Sequence, residues 1–168
     1  MQGVQQREER QALTRERGFM PDEYVRVLFE LEKEDEDYPP VEYERLWARP
    51  LGEGLFEIDN IPFFVRGISV GDVVAARQGE GEVVFSELVR ASGSSTLRII
   101  VFDESHVEEV RRQLQELGCS TELNVSKMLG VDVPPRIDLQ AVRKWLMEKQ
   151  SSGSLEFEDA CIRHEGLA

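Results

Sequence analysis

The sequence predicts an α+β fold: an N-terminal small antiparallel β-barrel or bent sheet, followed by a ferredoxin-like βαββαβ subdomain. Three observations carry this. Short, partly alternating apolar runs separated by glycine and proline turns fill residues 21–91, the signature of many tight strands. The composition shifts at Ala91-Ser92-Gly93-Ser94-Ser95-Thr96. After it, strand, helix, strand, strand, helix and strand patterns follow in order over residues 97–162, the split βαββαβ unit.

Residues 1–20 are rich in Gln, Arg and Glu with few apolar anchors, which predicts a polar, flexible extension. Tyr24–Leu31 is β-branched and aromatic and predicts a strand. Glu32–Pro40 predicts an acidic, self-repelling loop. It lacks the sharp-turn glycine and terminal glutamate of a calcium loop. Val41–Arg49 alternates apolar and charged residues as a half-buried strand does. Leu55–Ile58, Val73–Arg77 and Glu82–Val89 complete the strand series. Between them, Ile58–Val74 gathers Pro62, Gly67, Gly71, Asp59 and Asp72 into one apolar run, a turn-rich corner with a fixed backbone.

In the second half, Leu97–Phe102 reads as a buried strand. Ser105 and Glu108 have the spacing of a capping box. The helix they open places Val107, Val110, Leu114 and Leu117 on one face and ends at Gly118. Thr121–Val125 and Leu129–Val133 predict a hairpin stopped by Pro134-Pro135. Asp138 is the expected N-cap of a helix carrying Leu139, Val142, Trp145 and Leu146. Leu155–Glu158 gives the last strand, and 163–168 a polar tail in which His164 is expected to move freely.

The formal net charge is -13, and residues 21–50 alone hold ten acids against four bases. Such a polyanion repels nucleic-acid phosphate and favours basic protein partners. No apolar run approaches the ~20 residues of a membrane span, and no secretory h-region is present, so a cytoplasmic location is the default. Cys119 and Cys161 stand far apart in no metal-binding or redox motif; two reduced, buried thiols are expected.

Taken together, Trp47-Ala48, Asp59-Asn60-Ile61-Pro62-Phe63, Gly71-Asp72-Val73-Val74, Ser92-Gly93 with Ser95-Thr96, and Val131-Asp132-Val133-Pro134-Pro135 resemble an uncharacterised bacterial family, number 4265 among the domains of unknown function. The resemblance covers residues 24–158. It implies no reaction, cofactor or catalytic residue.

His106 lies in the first turn of a helix beside Ser105, where a solvated surface imidazole is expected, and His164 lies in the polar tail. Two lone His and two distant Cys do not make a zinc site. There is no dinucleotide, Walker or nucleophile-elbow motif. Asp59 and Asp72 would shift one another's pKa if the corner brought them together, although turn and strand-end roles explain both. One of Phe63 and Phe64 belongs in the core. Candidate binding residues are Asp59, Asn60, Phe64, Arg66, Asp72, Ser92 and Ser95, with Glu34, Asp35, Glu36 and Asp37 as an acidic, partner-facing group; Ser92–Thr96 serves equally well as a flexible linker. No catalytic residue, metal or cofactor is assigned. The expected function is a non-catalytic, protein-binding module, in concrete form a bacterial immunity protein covering the basic active-site cleft of a toxin. The alternatives are a small-molecule-binding regulatory or sensor subunit and, third, a carboxylate-based enzyme.

Overall fold

The computed structural model describes residues 24–125 and 127–164. The polar extension predicted for 1–20 and residues 165–168 of the tail lie outside the described residues.

The first half contains β1 (Val25–Glu30), β2 (Tyr43–Gly52), β3 (Leu55–Ile58), β4 (Val73–Gln78) and β5 (Val83–Arg90). Alternation sets their faces. On β2, Leu46 and Ala48 are buried while the alternating Arg45, Trp47 and Arg49 are less covered. The five strands close into a barrel in sequence order. Inside it Val27, Phe29, Leu46, Ala48, Ile58, Val65, Ile68 and Val74 form one core, and Phe29 stacks on Phe85 at 4.6 Å between ring centroids. An antiparallel barrel was expected, but the closing pair, β1 with β5, is parallel. The reason is parity: in an up-and-down meander of five strands the first and last run the same way.

The second half contains β6 (Ser95–Val101), a 3₁₀ turn (Glu104–His106), α1 (Val107–Glu116), β7 (Ser120–Asn124), β8 (Met128–Val133), α2 (Leu139–Ser151) and β9 (Leu155–Cys161). The four strands form an antiparallel sheet in the order β7-β8-β6-β9. Leu97, Ile99 and Val101 of β6 and Leu129, Val131 and Val133 of β8 share a core with Val110 and Leu114 of α1 and Val142 and Leu146 of α2. Both helices therefore cover one sheet face. Period two on the strands and period 3.6 on the helices align these apolar side chains toward that layer. Gly118 ends α1 at φ 95, as its position predicts, and Asp138 caps α2 by accepting from the Gln140 amide at 2.9 Å.

The capping box does not form. Asp103 Oδ1 accepts from both the amide and the hydroxyl of Ser105, at 2.9 and 2.7 Å, and Glu108 pairs with Arg111 at 3.2 Å. A carboxylate two residues upstream is a stronger acceptor than the hydroxyl it displaces. Ser92–Thr96 is not a flexible linker either. Ser94, Ser95 and Thr96 are buried, and the last two already belong to β6.

Candidate functional site

The connection from β3 to β4 joins the barrel to the open face of the second sheet. Its ends are held together by Ile58 N–H to Asp72 O at 2.9 Å and Gly71 N–H to Ile58 O at 2.8 Å, so the intervening residues project as a compact loop. Ile61 and Phe63 of this loop lie on Gly130 of β8, where a Cβ would stand 2.7 Å from Ile61 Cγ2. Only a glycine permits that approach. The consecutive amides of Phe63, Phe64 and Val65 donate to the Glu44 carboxylate at 2.7, 2.7 and 2.9 Å. Burial raises the Glu44 pKa, opposed by these three bonds and by Arg98. The Ile61 amide donates to Glu122 Oε2 at 2.8 Å across the junction.

Asp59, Asn60, Asp72, Ser92 and Ser95, all nominated from the sequence, lie in this junction with polar atoms engaged. Asp72, 0% exposed, accepts from the amides of Ser69 and Ser92 at 2.9 and 2.8 Å and stands 3.7 Å from Arg163. Asn60 Oδ1 accepts from the Trp47 amide at 2.7 Å, and the Asp59 amide donates to Trp47 O at 2.8 Å. Ser92 Oγ donates to Val70 O at 2.7 Å. Ser69 and Thr96 hydroxyls meet at 2.6 Å. Ser95 Oγ contacts His164 Nδ1 at 2.6 Å and accepts from the Arg163 amide at 2.9 Å. His164, expected to move freely, is thus held; its Nε2 lies 3.0 Å from both Pro134 O and Ile137 O. That pattern matches a ring protonated on Nε2 and accepting at Nδ1. It is a serine–histidine contact, but Ser95 is fully buried and unavailable as a nucleophile. Cys119 and Cys161 are free and buried, and burial, then Asp132, pushes the Cys119 thiol up to about 12.

Of the other nominated residues, Glu34, Asp35 and Arg66 line a cleft, whereas Glu36, Asp37 and Phe64 are not part of its lining. Glu34 and Asp35 of the acidic loop form one wall with Tyr38 and Arg66; the floor is the helix-free sheet face, with Arg98 and Ile100 of β6, Met128 of β8, and Glu156 and Glu158 of β9. Its volume is ≈ 480 Å³. Arg98 anchors it. Only 2% exposed, Arg98 donates from Nη1 to Phe63 O and to Tyr38 Oη, the latter at 2.9 Å. Its Nε stands 2.9 Å from Glu158 Oε1 in an ion pair without hydrogen-bond alignment, and its Nη2 has no hydrogen-bond partner. Arg66 pairs with Glu34 and stands 3.6 Å from Glu158, tying the loop to β9. The hydrogen bond from Arg66 to Glu34 raises the Arg66 pKa, so this guanidinium stays charged. Burial raises the Tyr38 pKa, which keeps its hydroxyl protonated at neutral pH. Phe64 meets Tyr38 edge-on at 6.0 Å.

A shallower depression of ≈ 580 Å³ on the outer face of α2 is lined by Arg143, Lys144, Met147 and other residues of that helix alone, so nothing opposes a ligand there. Among the described residues no group of three or more His, Cys, Asp and Glu is placed to hold a metal ion, and no helix is long and apolar enough to cross a membrane.

The family described as "Domain of unknown function (DUF4265)" matches residues 44–157. The chain belongs to this family. Within the DUF4265 match lie the junction, Arg98, Glu156 and Phe157, whereas the acidic loop, at 32–40, lies before it. No curated protein matches the chain. Among solved structures, the crystal structure of a hypothetical protein from Neisseria gonorrhoeae is similar, with a TM-score of 0.66 and 21% identity over 84% of this chain and 96% of that one. At that identity the likeness shows the fold alone.

Arg98, Tyr38, Glu44, Glu156 and Glu158 were not singled out in the sequence of this DUF4265 member. One signal was available: Arg98 is a lone charge in the otherwise apolar strand Leu97–Phe102, and a charge there must find partners.

Proposed function

We propose that the chain is a non-catalytic, acidic protein-binding module that receives a basic partner. The observation that carries this reading is the cleft, which four carboxylates (Glu34, Asp35, Glu156 and Glu158) and two guanidiniums (Arg66 and Arg98) line. The surplus of acid agrees with the net charge of -13, and such a field steers a positive partner while repelling nucleic acid. A bacterial immunity protein in the cytoplasm, covering the basic active-site cleft of a toxin, is the concrete form of this reading. The carboxylate-enzyme reading needs Asp59 or Asp72 within reach of substrate, and the Asp72 carboxylate is enclosed by the Ser69 and Ser92 amides. The C-terminal unit is read as ferredoxin-like, supported by its element order and antiparallel strand order.

The test is capture of a partner from native lysate by the full chain at stepped ionic strength. A basic protein retained at low salt and released as salt rises from about 50 to 500 mM is the expected result. Recovery of no partner at low salt refutes it. The cleft volume favours a second reading, a small-molecule regulatory subunit, because ligand pockets begin at roughly 300 Å³. A reproducible rise in melting temperature with a metabolite would decide for that reading.

A further inference from the structure

Arg98 and Tyr38 hold hydrogen-bonding capacity that the chain itself does not use. Tyr38 Oη accepts from Arg98 Nη1, so its own proton remains to be donated. Arg98 Nη2 is buried without a partner, a state that disfavours the empty site, the more so for a charged donor. The acceptor that completes this site is constrained by charge. Glu158 already neutralises Arg98, and Glu34 neutralises Arg66. Asp35 and Glu156 are left as surplus acid on the lining. A second carboxylate or a phosphate would add to that surplus; a neutral carbonyl would not. The surplus calls instead for a cation, and the floor between is apolar, with Ile100 48% exposed beside Met128.

A carbonyl, an aliphatic stem and a cationic head in one ligand describe a lysine or arginine residue within a peptide. We infer that the cleft binds a basic residue of a partner's exposed segment, its main-chain carbonyl at Tyr38 and Arg98, its stem on Ile100 and Met128, and its charge at Glu156 and Asp35. This rests on the binding-module reading and names what that module recognises.

The probe is acetyl-Gly-Arg-Gly-amide, titrated at low salt into the full chain with the Ile100 and Met128 methyl groups followed by NMR. Saturable shifts at both methyls are expected. Glu156→Gln should weaken binding by about threefold to tenfold, as removal of one charge-assisted contact does, and Ile100→Lys should abolish it by placing a like charge in the site. Tyr38→Phe should weaken the peptide while leaving butylguanidinium, which has the stem and the charge but no carbonyl, unaffected. The inference is overturned by the absence of saturable shifts, by equal shifts with acetyl-Gly-Glu-Gly-amide, by shifts confined to the α2 face, or by free arginine binding as tightly as the peptide. Capture of a basic protein equally well by wild type and by Ile100→Lys would sink the cleft assignment and leave the binding-module reading standing. Peptide binding with no protein captured would do the reverse.

Discussion

One face of β6 runs through two regions of opposite character. Thr96 is sealed against Ser69 in the junction, Arg98 stands at the boundary, and Ile100, two residues further, is half exposed in the cleft. In the junction the polar groups serve the chain: Asp72, Asn60, Glu44 and Ser95 each accept backbone amides. In the cleft the carboxylates outnumber the guanidiniums and Arg98 Nη2 has no partner. Buried polar groups that fold a chain are satisfied by it. Unused capacity beside an opening is what the proposed partner-binding side of β6 offers.

Four substitutions would break or sharpen this contrast. Asp72→Asn should destabilise the most, by about 3 kcal/mol, because an amide donor would replace an acceptor facing two backbone N–H groups in a fully buried site. Urea unfolding measures it, and a variant as stable as wild type would return Asp72 to the list of functional candidates. Gly130→Ala should lower stability by about 2 kcal/mol through overpacking against Ile61; an unchanged urea midpoint would mean that the junction loop moves away freely.

Glu44→Gln sharpens the contrast through pH. Burial raises the folded-state Glu44 pKa, so the folded chain holds this proton more tightly than the unfolded chain does. The stabilisation from that proton is full below the ordinary glutamate value and is lost as pH rises through the raised, folded-state value. Glutamine does not titrate. As pH rises above the ordinary glutamate value, the unfolding free energy of wild type should therefore fall relative to the variant, as urea titrations at stepped pH would show; a parallel pair of curves would refute the shift. The smallest effect belongs to Arg66→Ala, whose ion pair with Glu34 is exposed on both sides. It should change stability by no more than about 0.5 kcal/mol while altering the salt dependence of partner capture. A large loss of stability would move Arg66 from the cleft into the junction.

Much of the fold was legible because it follows from periodicity. The alternation on β2, the heptad-like spacing from Val107 to Leu114 and the cap at Asp138 depend on residues near one another in the chain. The capping box failed for an equally local reason: Asp103, just outside the motif, competes for Ser105. The site was less legible. Ile58–Val74 stood out by composition, and Asp72 and Asn60 do have demanding roles, but those roles hold the two halves together. Arg98, Tyr38 and Glu158 stand far apart in sequence, and no spacing rule connects them.

The sequence by itself determined the strands and helices, the acidity and the membership of the DUF4265 family, since patterning, net charge and family motifs are all properties of the linear chain. Only the tertiary structure decided that the barrel closes with a parallel pair, that Ser95 and His164 meet, and that a buried arginine sits between an acidic loop and an open sheet face. Those facts depend on contacts across dozens of residues, where direction, burial and the surplus of one charge over another are set by packing and not by order along the chain.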